Sequence, residues 1–218
     1  MAAVTTNDEN AVRRRVPVQE RSRERVERIL DAASAIVQRA GVEALTTRLI
    51  ATQAKIPVAS LYQYFSDRDA VLLALVERDM AEMDAQVADD LAALTSYSVG
   101  AIVETTMRAF VKVYHRRPAF MEIWVRGRSN QAIYDYGREH NRRTAAAVLE
   151  FVQGLGIARD TLTTAVAEFA VEAGDRAFQL AFETDLRGDD FLIDEGIALV
   201  TSYLERYATP EGISGVPA

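Results

Sequence analysis

The stretch TTRLIATQAKIPVASLYQYF, Thr46 to Phe65, constrains this chain more than any other. It reads as two short helices, with Lys55-Ile56 as the turn and Pro57 at the first position of the second, where a missing N–H costs little. An isolated helix shorter than about 12–15 residues is marginal in water. The pair must therefore be held by another element. It also ends in Leu61-Tyr62-Gln63-Tyr64-Phe65, more aromatic surface than a solvated helix normally carries.

The holding element precedes it. Val26, Ile29, Leu30, Ala33, Ile36, Val37 and Ala40 recur at spacings of three and four, which predicts an amphipathic helix from Gln19 with one buried stripe. Gly41 suits its C-terminal cap and Thr46 the N-cap of the next helix. Residues 1–18 show no periodicity, and Pro17 is expected to interrupt any helix there, so they read as a disordered arm carrying Arg13, Arg14 and Arg15.

Beyond Phe65 the pattern stays helical. Ser66 or Asp67 caps a helix running to about Ala93, and TSYSVG follows as a loop. Further helices are expected over Ile102–Arg117, Pro118–Arg126, Asn130–Gln153, Asp160–Leu186 and Asp189–Tyr207. RGRSN, at 126–130, reads as a polar loop rather than an anion site, and ATPEGISGVPA as a fraying tail. Strand alternation is nowhere sustained. The fold class is all-α, about nine helices, with an arm (1–18), a small helix-turn-helix domain (19–66), a larger domain (67–208) and a tail (209–218).

The net charge of −7 argues against nucleic acid when taken whole. Its distribution argues otherwise. Residues 1–68 hold 11 basic and 8 acidic side chains, whereas 69–218 hold 14 and 24. A basic end on an acidic body is one reading, and chance clustering of surface charge the other. Cysteine is absent, which excludes disulfides and thiolate chemistry. The only histidines are His115 and His140, with no His-Glu-x-x-His motif, no Gly-x-Ser-x-Gly elbow, and no strand before Gly154-Leu155-Gly156. No catalysis, cofactor or metal is expected. No secretory leader and no membrane-length apolar run is visible, so a cytoplasmic protein without a membrane partner is expected.

The strings GVEALTTRLIA (Gly41 to Ala51) and SLYQYFSDRDAVL (Ser60 to Leu72) resemble the tetracycline-repressor (TetR) family of transcription regulators. The resemblance covers about residues 19–72 and implies a three-helix DNA-binding domain followed by an effector-binding and dimerisation domain. It places Pro57 to Tyr64 in the major groove, with Val58, Ala59, Ser60 and Gln63 as candidates for base edges. Thr47, Arg48, Tyr62, Tyr64 and Arg68 are then candidates for phosphate, and Leu61 and Phe65 for the core. Tyr64 has a second reading as a core edge, and Arg48 and Arg68 as solvated charges. One departure stands out: Lys55 occupies the turn position where the family often has glycine. Lysine there adds charge near DNA and costs about 1 kcal/mol if its φ is positive.

The resemblance also implies a dimer through the last two helices. Its candidate interface is Ala170, Ala177, Ala181, Ile193, Ile197, Val200 and Leu204, some of which an ordinary intrachain core must claim. For the effector pocket the candidates are Phe110, Tyr114, Phe120, Trp124, Phe151, Phe169, Phe178 and Phe182, with Glu172 and Asp175 as polar members. Aromatics at helical spacing are more often plain core. The expected partners are therefore a palindromic DNA operator, a second copy of the chain and a largely apolar or aromatic effector. The rival readings are an enzyme, which lacks motifs here, and a helical adaptor that has lost DNA binding, which salt-sensitive DNA binding would rule out.

Overall fold

The computed structural model describes the backbone of residues 8–126 and 130–218, and the side chains of 20–125 and 130–218. Among these residues there are ten α-helices, one 3-10 turn and two short strands. Side chains around Arg128 in the RGRSN string lie outside the described residues, apart from Asn130, which caps the following helix.

The chain divides into two compact units after Leu75. In the first, α1 spans Asp8–Ala40. It starts before the expected Gln19 and passes through Pro17, so part of the segment read as an arm has helical backbone. A proline removes one helix hydrogen bond but does not by itself end a run of helix formers on both sides. Ile29, Leu30, Ala33, Ile36 and Val37 are buried, as the spacing predicts. A 3-10 turn, Val42–Ala44, leads to α2 (Thr47–Gln53) and α3 (Val58–Leu61), which continues as turns to Tyr64. α2 packs on both α1 and α3. Ile50, Ala51, Leu61 and Phe65 close this small core, so each short helix is stabilised by tertiary contact rather than by its own propensity. Next comes α4, Arg68–Ala92, whose buried Val71, Leu72 and Leu75 belong to the first unit.

The second unit contains the rest of α4, α5 (Val99–Arg116), α6 (Pro118–Arg126), α7 (Gln131–Gly154), α8 (Thr164–Ala181) and α9 (Asp190–Glu205). Side-chain caps set many starts: Ser98, Asn130, Thr163 and Asp189 each accept a backbone N–H from the first turn that follows. The capping Thr163 explains why α8 begins later than the expected Asp160, and α8 ends before Phe182 rather than at Leu186.

The C-terminal segment departs from the expected frayed tail. Thr209 caps α10 (Pro210–Ser214), and β2 (Val216–Pro217) pairs antiparallel with β1 (Ser96–Tyr97), inside the string read as a loop. Gly212 lies so close to Ile157 that a Cβ would overlap the Ile157 carbonyl oxygen. The Thr209 N–H donates to that same oxygen at 3.0 Å. These contacts join residues more than fifty positions apart, which local periodicity does not register.

Candidate nucleic-acid interface and ligand cavity

The first unit exposes one face of the helix-turn-helix. Thr46 Oγ1 accepts the Leu49 N–H at 3.2 Å and fixes the start of α2. Lys55 has φ 56°, the left-handed conformation that the departure from glycine implies, and its side chain is exposed. That turn sets α3 so that Leu61 and Phe65 point inward. Arg48, Val58, Ala59, Tyr62 and Gln63 are exposed, and Thr47, Ser60 and Tyr64 are half-buried. The Tyr62 hydroxyl lies 3.2 Å from Thr47 Oγ1, joining α3 to the start of α2. Arg68 is tied down, donating to Asp69 Oδ1 at 3.2 Å and to the Leu45 carbonyl at 3.4 Å. Just before it, Asp67 accepts the Ala70 N–H at 2.8 Å, and this bond, with one from Ser66, holds its carboxyl below the usual aspartate value. Leu49 is also exposed on this face, a position absent from the expected set.

In the second unit a cavity of about 110 Å³ lies among α4 to α9. Of the residues expected at a pocket, Phe110, Tyr114, Phe120, Trp124, Asp175 and Phe178 line it. Tyr114, Phe120 and Trp124 stack in series, with centroids 5.7 and 5.6 Å apart and planes within 15°. Burial pushes the Tyr114 hydroxyl well above the usual tyrosine value, and the charge of Asp175 adds to the effect, so it stays protonated.

Four expected pocket residues are elsewhere. Phe151 packs edge-on against Tyr97, and Phe182 is buried edge-on against Tyr114 without lining the cavity. Phe169 is 60% exposed and meets Tyr203, and Glu172 lines a second, outer cleft. The helical period puts Phe169 on the outer face of α8, opposite Ala167, Ala170 and Phe178.

The expected dimer residues also need correction. Ala170, Ala181, Ile193, Ile197 and Val200 are buried within the chain, and Ala177 and Leu204 are half-buried. The small residues do let helices approach, but the helices are α8 and α9 of one chain: a Cβ on Gly196 would overlap Ala177 Cβ. Ala170, Val200 and Leu204 even line the cavity. The apolar side chains left open on these two helices are Phe169, Leu180, Phe191 and Leu199.

A group of charges joins α4 to the end of α5. Glu82 accepts from Arg117 at 2.7 Å and from Arg116 at 3.0 Å. Burial works against its charge, yet these bonds outweigh it and hold its carboxyl below the usual value. Asp79, one turn away, is fully buried and its Oδ2 has no partner. Desolvation raises its pKa, with Arg78 and Arg117 offsetting only part. Among the described residues no group of three or more His, Asp or Glu is placed to hold a metal ion, and no helix is long and apolar enough to cross a membrane.

Sequence reasoning missed Thr106, His140, Asn141 and Thr144 in the cavity wall, and Tyr134, Arg138 and Arg176 in the outer cleft. One signal was available. Gly137 sits inside a helical pattern, where an isolated glycine often marks a close approach, and it is where Trp124 packs.

Comparison with known proteins agrees with this architecture. Residues 29–75 match the family model described as bacterial regulatory proteins, tetR family, and residues 97–208 match the tetracyclin repressor-like C-terminal domain. The HTH-type transcriptional repressor KstR of Mycobacterium tuberculosis is 39% identical over 67 residues, 31% of this chain and 30% of that protein. The chain thus spans less than a third of that curated relative's length. An uncharacterized HTH-type transcriptional regulator of Xanthobacter autotrophicus is 24% identical over 151 residues, covering 66% of this chain and 73% of that protein. A crystal structure of a TetR-family transcriptional regulator from Streptomyces coelicolor superposes with TM-score 0.67 at 27% identity, over 84% of this chain and 99% of that one.

Proposed function

The chain belongs to the tetR family of bacterial regulatory proteins, and from that premise we propose that it is a DNA-binding transcription regulator that grips a palindromic operator as a homodimer and is released by a small, largely apolar or aromatic effector. The family consists of DNA-binding transcription factors rather than enzymes, and its members dimerise. The relative from Mycobacterium tuberculosis is a transcriptional repressor, which supports repression as the mode here.

The observation that carries the reading is the exposed face of α2 and α3. Thr47 and Tyr62 offer two adjoining hydroxyls for phosphate, flanked by the cations Arg48 and Lys55. Gln63 and the small residues Val58, Ala59 and Ser60 are the candidates for base edges, since Gln pairs bidentately with adenine and small apolar groups meet the thymine methyl. Arg68, held on the Leu45 carbonyl, is a candidate for phosphate at the edge of this face. Two half-sites about 34 Å apart require two copies. The exposed Phe169, Leu180, Phe191 and Leu199 support α8 and α9 as the surface on which a second copy is seated. The effector reading rests on the cavity, to which α4 contributes Met80 and Met83. Because α4 begins in the DNA-binding unit, it is the element through which an occupied cavity would bias the reading heads.

The test is an anisotropy titration against the DNA upstream of the chain's own gene and a shuffled duplex, across a salt series. A preference of roughly a thousandfold or more, falling as salt rises, is the expected result. Failure to bind any duplex at low salt, including a random-sequence pool, overturns it.

A further inference from the structure

The cavity among α4 to α9 and the outer cleft share one wall. The inner space, about 110 Å³, is almost wholly apolar. The outer cleft, about 240 Å³, has a larger polar share, with exposed Arg138 and Arg176 beside Glu172 and Gln179 in its lining. Trp124, Asn141 and Asp175 belong to both. Neither space alone reaches the roughly 300 Å³ of a pocket for a drug-sized ligand, but together they come to about 350 Å³.

Trp124 is the largest side chain of that shared wall. Its Nε1 donates to Asp175 Oδ1 at 2.9 Å, and Gln179 Nε2 holds the other oxygen at 2.6 Å. One ring face stacks on Phe120. Its edge lies against the backbone of Gly137, where a Cβ would be 2.7 Å from Cζ3 and closer still to Cη2. Among the described residues the indole is held by this hydrogen bond, the Phe120 stack and the contact with Gly137, and it is half-buried. Among the residues of the inner wall, Thr106 Oγ1 is buried without a hydrogen-bond partner.

We propose that Trp124 is the gate of the effector site: it swings away from Asp175 and Gly137 to join the two spaces, and the ligand is an elongated amphipathic molecule whose apolar body fills the inner cavity while its polar end stays in the outer cleft. This rests on the cavity being the effector site. The gate selects by length. A short apolar molecule fits inside without moving Trp124, whereas a longer one must displace it and leaves its polar end beside Asn141 and Asp175.

Trp124 is the single tryptophan of the chain, so its emission reports the gate directly. The probes are 1-butanol and 1-decanol, with binding read by calorimetry and Trp124 by emission and acrylamide quenching. Saturating decanol should shift the emission and raise quenching, and butanol should leave both unchanged. Gly137→Ala should show the shifted, more quenchable emission without any ligand, and Asp175→Asn and Trp124→Ala should take up decanol roughly tenfold faster or more, as expected when a hydrogen bond to a charged group is weakened or lost. If Gly137→Ala does not fold, the two other variants carry the test. Decanol binding with unchanged Trp124 emission and unchanged uptake rates overturns the gate and leaves the effector cavity standing. No decanol binding to wild type or to Trp124→Ala overturns both.

Discussion

The Tyr62 hydroxyl stands 3.2 Å from Thr47 Oγ1, although the two residues lie on different helices and fifteen positions apart. One hydroxyl donates to the other, which leaves the second free to donate outward to a phosphate oxygen from the exposed face. Tyr62→Phe keeps the ring and removes this pair. It should weaken binding to operator and scrambled DNA alike by about 0.5–1.5 kcal/mol, the worth of a neutral hydrogen bond. Gln63→Ala should instead relax preference at one base pair. Equal losses on both duplexes for both variants, read by anisotropy, would remove Gln63 from base reading.

Lys55 combines strain and charge. Its φ of 56° is tolerated by glycine and poorly by β-branched residues. Lys55→Gly should leave stability within about 1 kcal/mol of wild type, and Lys55→Val should lower it by roughly 1–2 kcal/mol in urea unfolding. Both should reduce the slope of log affinity against log salt by about one if the ammonium meets phosphate.

Ile193 and Leu199 separate core from exposed surface on one helix. Ile193 is buried, whereas Leu199 is 58% exposed. Ile193→Ala should cost about 2–5 kcal/mol of folding stability. Leu199→Asp should leave secondary structure intact and shift the dimer toward monomer in sedimentation. A Leu199→Asp protein that remains dimeric at micromolar concentration would place the interface elsewhere.

Asp79 and pH form a fourth test. Its pKa is raised on folding, so the native state holds this proton more tightly than the unfolded chain. Its contribution is therefore most favourable below the unfolded value of 3.8 and is lost as pH rises from there through the folded value. Relative to Asp79→Asn, wild type should lose stability across that rise and then level off. Glu82 has the opposite sign: its lowered pKa contributes above the unfolded 4.5 and is lost as pH falls through the folded value. Thermal unfolding of wild type and Asp79→Asn from pH 4 to 7 gives the difference curve, and a flat difference would contradict the assignment.

Much of the site was legible because it is local. The Thr46 cap follows from local residue types, and the positive φ of Lys55, the inward Leu61 and Phe65 and the outward Tyr62 and Gln63 from the resemblance of this short stretch to the TetR family. The cavity was half legible. Phe110, Tyr114, Phe120, Trp124 and Phe178 line it, but Phe169 and Phe151 look the same in sequence and point elsewhere. Aromatic content on a helix does not say which neighbour the helix will turn toward.

By itself, then, the sequence determined the helices and the short helix-turn-helix, because helical periodicity, caps and turn residues act over a few positions, and the strings at 41–51 and 60–72 carried the family resemblance. Only the tertiary structure decided which apolar residues of α8 and α9 are spent inside the chain, and that Gly137 admits Trp124 onto Asp175. It also decided that the last residues are anchored on Ile157 and Ser96 rather than frayed. The physical reason is the same in each case. Burial is a property of pairs of elements, and the area each face loses to water depends on a partner that lies many residues away.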